Sequence, residues 1–93
     1  MLKWKNKQWV ESDEGFSFLF TGRYTAEYIE GDRKLSLLIE DGMSNDNYGI
    51  IIKSGSMNKW DNNQTILLNE KDVILRNISE ALEFQNINLI IED

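Results

Sequence analysis

The chain of 93 residues contains no cysteine, no histidine and no proline. Without cysteine there is no disulfide framework, zinc-thiolate site or sulfur nucleophile, and without histidine the usual base near neutral pH and the commonest metal ligand are missing. Long apolar runs are also missing: "GIII" and "LII" are far too short to span a bilayer, and "MLKWKNKQWV" has lysines but no apolar signal-type segment. These features lead us to expect a cytoplasmic protein with no membrane partner. There is no low-complexity linker and no internal repeat, so residues 1–93 read as one domain, and a chain this size buries roughly 60–65% of its unfolded surface in one modest core.

What is present is acid. Sixteen Asp and Glu face ten Lys and Arg, for a net charge of −6. The first ten residues carry three lysines and no acid; residues 11–50 carry nine acids against three bases, and residues 51–93 seven against four. Such a chain repels phosphate backbones, so a nucleic acid is a poor partner and a basic protein a better one. The lysines and tryptophans of "LKWKNKQW" could stack bases, but no basic groove continues them, and Lys3, Lys5 and Lys7 on one side of an edge strand explain the pattern more simply.

Most of the chain reads as β-structure. "WKNKQWVES" reads as that edge strand. Phe16, Phe18 and Phe20 alternate on one face of a second strand, which connects through Thr21-Gly22-Arg23 to a third carrying Tyr24, Tyr28 and Ile29. Gly31-Asp32 suits a tight hairpin turn before the alternating set Leu35, Leu37 and Ile39. "DGMSNDN", residues 41–47, reads as a polar loop, and "YGIIIKS" as a central strand buried on both faces.

Near the end a helix is expected from Asn69 to Gln85. Asn69 would be the N-cap, Leu68 and Val73 a hydrophobic staple, and Ile74, Ile78, Ala81 and Leu82 the buried stripe. Asn86 is placed for a left-handed cap, with Ile87 reaching back to Leu82 before a last strand, "INLIIED". The expected class is α+β: an antiparallel sheet of about five or six strands, one amphipathic helix packed on it near the C-terminus, and a final strand.

No pattern supplies chemistry. Some pair of carboxylates is inevitable among sixteen acids, but a glycosidase-like site needs a cleft that this chain can hardly enclose. Asp61, Asn63, Thr65 and Asp72 approach calcium-loop spacing, yet Ile66 stands where the loop needs glycine, and no helix precedes it. We therefore expect no catalytic residue, metal or cofactor. Trp60, alone in the polar run "SGSMNKWDNNQT", sits where the chain must leave the sheet and turn into the helix, and it reads as a structural anchor before an interface residue.

"SMNKW", "NEKDVILRNISEALEF" and "INLIIED" together resemble a family of small immunity proteins from bacterial polymorphic toxin systems. Ser56, Met57, Trp60, Ile78, Ala81, Leu82, Ile87 and Leu89 carry the match, over about the last 40 residues. The resemblance implies a non-catalytic protein that binds and blocks a cognate toxin domain. The acidic balance would steer it onto a basic toxin. Glu40, Asp41 and Asp46, three acids in the inferred polar connection with no base among them, are the candidate partner-binding residues. The alternative is a small β-rich module that binds a ligand or forms homo-oligomers through Trp4, Trp9 and Tyr48. Edge strands leave both monomer and homodimer open.

Overall fold

Alternating side chains along successive strands place one apolar row after another on the same side of a sheet, and that side carries the core. The computed structural model describes residues 2–6, 8–44, 47–53, 55 and 57–92. Seven strands form one sheet in chain order: β1 (Leu2–Asn6), β2 (Trp9–Ser12), β3 (Phe16–Gly22), β4 (Thr25–Glu30), β5 (Arg33–Ser44), β6 (Asn47–Lys53) and β7 (Asn88–Glu92). The helix α1 (Leu68–Phe84) lies between β6 and β7. The class is α+β, as expected from the sequence, with a mostly antiparallel sheet, one helix packed on it and a last strand.

The register shows the shared face directly. Val10 pairs with Phe18, Phe18 with Tyr28 and Tyr28 with Leu35, while Phe20, Ala26 and Leu37 form a second row and Ile39 with Ile52 a third. Directly opposed residues project to the same side, so these rows form one apolar face. All of these except the half-buried Phe20 are buried, together with Ile74, Ile78, Ala81 and Leu82 of α1.

Several expectations need correction. "WKNKQWVES" is two strands, not one: it folds back on itself so that Lys3 pairs with Glu11 and Trp4 with Val10. No Gly, Pro or Asp marks the reversal, which is why the pattern looked continuous. Lys7 lies outside the described residues, and Lys5 reaches Glu11 at 3.5 Å. β1 remains a sheet edge.

The last pair, β6 with β7, is parallel. A 17-residue helix crossing the face returns the chain to the starting end of β6, and such a crossover makes parallel neighbours where a tight turn makes antiparallel ones. β6 buries Ile50 and Ile52 on the helix side but leaves Ile51 half-buried on the other, so it is not covered on both faces.

Residues 41–44 are not the expected polar loop: β5 continues through them, the strand pairing runs out to Ser44 with Asn47, and residues 45 and 46 of the expected loop lie outside the described residues. The 12-residue β5 therefore serves two neighbours in turn, β4 along Arg33–Leu38 and β6 along Ile39–Ser44. At the other end of the strand, Gly31 has φ 62° and Asp32 a negative φ, the pattern of a type II′ turn between Glu30 and Arg33.

The N-cap of α1 is Leu67 rather than Asn69. Leucine offers no acceptor, so the cap is one-sided: Glu70 accepts from the Leu67 N–H at 3.1 Å. Leu68 and Val73 are both exposed and form no staple. The C-terminus follows expectation. Asn86 has φ 61°, its N–H donates to Glu83 O, and the Ile87 N–H donates to Leu82 O, which together make a Schellman motif.

Candidate functional site

Where β5 leaves β4, it becomes half of a projecting arm. The last bond on the β4 side runs from the Ile39 N–H to Tyr24 O at 2.9 Å. On the other flank, β7 begins its pairing at Gly49 with Asn88. Among the described residues, Asp41–Ser44 thus pair only with β6, and Asn47–Tyr48 only with β5.

The arm presents two different faces. Asp41 pairs with Ile50 and Met43 with Tyr48, which puts these side chains on the helix side; Ile50 is buried there, whereas Asp41, Met43 and Tyr48 are exposed. Met43 is 66% exposed and Tyr48 49%, and the Tyr48 hydroxyl donates to Asp41 Oδ1 at 2.9 Å. That bond, to an acceptor that is itself anionic, raises the Tyr48 pKa above its ordinary value, with burial a lesser cause.

Glu40, Gly42 and Ile51 lie on the opposite face. A side chain at Gly42 would meet Ile51, so glycine is what allows that isoleucine to lie flat across the strand. Glu40 meets Lys53 at 3.5 Å, and the two border a concavity of about 540 Å³ that Tyr24, Leu38 and Ile51 also line.

Of the three acids expected to act together, Glu40 and Asp41 are therefore on opposite faces of one strand, and Asp46 lies outside the described residues. The structure does not bring Glu40 and Asp41 into one patch. Adjacent positions would converge in a loop but must diverge in a strand. Sequence reasoning missed Met43 and Leu38, which is 68% exposed, because both sat among polar residues taken as a turn or as outward strand positions.

The aromatic candidates are likewise dispersed. Trp4 packs on Phe84 at 5.7 Å on the helix side, Trp9 lies on the other face beneath the Lys5 ammonium at 4.2 Å, and Tyr48 belongs to the arm. They share no pocket.

Trp60 is in the core, 1% exposed. Its ring lies 6.2 Å from Tyr28, and the Arg33 guanidinium stands 4.3 Å above it. The segment around it also closes a gap in the sheet. The Asp61 N–H donates to Lys34 O at 2.8 Å, and its carboxylate accepts from the Ser36 N–H at 3.0 Å and the Ser36 hydroxyl at 2.8 Å. Asp61 thus takes the place beside β5 that β6 does not reach.

A polar chain ties helix to sheet nearby. The Asn77 amide donates to the Tyr28 hydroxyl at 2.9 Å, and that hydroxyl donates to Glu30 at 3.1 Å. Arg33 bonds Glu70 at 2.9 Å. Burial pushes the Tyr28 phenol well up, with Asn77 opposing that shift. The Leu67 N–H and then Arg33 hold the Glu70 carboxyl below its ordinary value.

Among the described residues, no three acidic side chains gather as a metal-binding group, and no helix is long and apolar enough to cross a membrane. Comparison with family models, curated proteins and solved structures finds no match to the chain.

Proposed function

We propose that this is an immunity protein: a non-catalytic binder that neutralises a cognate bacterial toxin domain in the cytoplasm, with the β5–β6 arm as its recognition element. One observation carries the reading. A two-stranded projection, held at its base by the sheet, exposes Met43 and Tyr48 beside the Asp41 carboxylate, on a chain of net charge −6. Large apolar side chains ringed by charge are what a protein interface uses for anchoring and steering, and a rigid base keeps the ordering cost of binding low. The resemblance in residues 56–89 suggests that the partner is a cognate toxin.

The test is stopped-flow association with the toxin domain encoded beside this chain, across a salt series. Reversing Glu40, Asp41 and Asp46 to Lys is expected to slow association and flatten its salt dependence, and the single changes Glu40→Lys and Asp41→Lys report which face meets the toxin. Equal rates and salt slopes for all variants would remove the arm from the interface. No binding by the folded parent would remove the assignment for that pair.

A further inference from the structure

The two edges of the sheet are built differently. β1 carries Lys3 and Lys5 and an irregularity in its register between Trp4 and Asn6, both of which discourage a further strand. β7 has neither lysine nor irregularity: Asn88-Leu89-Ile90-Ile91-Glu92 pairs in unbroken register with β6, and no hydrogen bond joins it to anything else among the described residues.

Apolar side chains border it on the helix side. Ile91 is 49% exposed. At about 100° per residue, Leu68 and Leu75 lie on one flank of α1, and Glu70, Asn77 and Phe84 on the other. Those three meet Arg33, Tyr28 and Trp4, so the leucine flank overlooks the β7 side.

From these features we infer that β7 is the interface for a second copy of this chain, pairing antiparallel with its counterpart about a two-fold axis at Ile90 to continue the sheet. Sequence symmetry selects the second copy over another occupant. Centred on Ile90, the strand sets Leu89 against Ile91 on the helix side, while on the other face Asn88 meets Glu92. No two acids oppose each other, and both apolar positions find apolar partners. The pairing uses the free backbone edge of β7, which adjoins the arm where Gly49 pairs with Asn88 but draws no strand from it, so a toxin need not be present for the pairing to form.

The experiment is sedimentation velocity on the whole chain up to about 0.5 mM, a range that captures even weak pairing. A monomer–dimer equilibrium is expected. Asn88→Lys, facing Glu92 twice across the axis, should tighten it, and Asn88→Glu should weaken it, each by roughly 2- to 30-fold. Monomer throughout, or any other order of the two variants, overturns the inference. Hydrogen exchange on the parent gives a check that needs no substitution: protection of the amides of residues 88–92 should rise with protein concentration, and concentration-independent protection overturns the pairing.

Discussion

The two halves of β5 are one continuous strand with opposite surroundings. Arg33–Leu38 has β4 on one flank and the Asp61 segment on the other, with Leu35 and Leu37 buried beneath the core. Beyond Ile39, whose N–H still bonds Tyr24 O, the strand has β6 on one flank only, and the side chains of Glu40, Asp41 and Met43 reach solvent. The same backbone geometry thus gives a core element where neighbours close around it and a presenting arm where they stop. Stability should reside in the first half and partner recognition in the second, and four substitutions test that division.

The largest effect is expected at Trp60. Truncation to Ala leaves a cavity between Tyr28 and the Arg33 guanidinium and loosens the segment that brings Asp61 onto β5, so unfolding should require about 3–5 kcal/mol less. Chemical denaturation would show the lower midpoint. A midpoint equal to the parent's, combined with lost partner binding, would move Trp60 from the enclosed region to the interface.

Tyr28→Phe comes next. It deprives the Asn77 amide, itself buried, of its acceptor and should cost about 1–3 kcal/mol. The same change has a pH signature. Because folding raises the phenol's pKa above its ordinary 10.0, the folded state favours the neutral form; that preference is fully present below pH 10 and is lost as pH rises beyond it. Denaturant melts from neutral to alkaline pH should therefore show the gap between parent and Tyr28→Phe closing at the alkaline end. A constant gap would mean that the hydroxyl is not held as the hydrogen-bond geometry indicates.

The smallest effect belongs to the arm. Glu40→Lys and Asp41→Lys should each change stability by no more than about 0.5 kcal/mol, since both carboxylates are exposed and their bonds are to exposed partners. Thermal melts of the two variants would check this, and a loss comparable to that of Tyr28→Phe would show that the arm is part of the cooperative core after all.

Legibility in the sequence followed the same division. The enclosed rows were readable because period-two apolar patterns such as Phe16-Phe18-Phe20 and Leu35-Leu37-Ile39 report a buried face whatever the neighbours are, and the stripe of α1 did so at its own period. Asn77 escaped notice, since a polar residue on an apolar stripe finds its role only when Tyr28 arrives opposite, 49 positions away. The arm was misread for the complementary reason: "DGMSNDN" has turn-forming residues, and nothing local says that Gly42 is there to admit Ile51 from the neighbouring strand. Asp61 looked like a turn residue, and its bonds to Lys34 and Ser36 depend on a gap that exists only because β6 pairs further along.

By itself, the sequence determined the composition limits, the apolar rows, one amphipathic helix and its Asn86 stop, because each of these depends on side-chain identity and on contacts within a few residues along the chain. Tertiary structure alone decided the parallel setting of β7, the split of the first segment into two strands, the continuation of β5 into an arm and the separation of Glu40 from Asp41 onto opposite faces. Those features follow from which backbone edges find partners, and pairing between distant segments is settled by the whole sheet closing over one core rather than by any local preference.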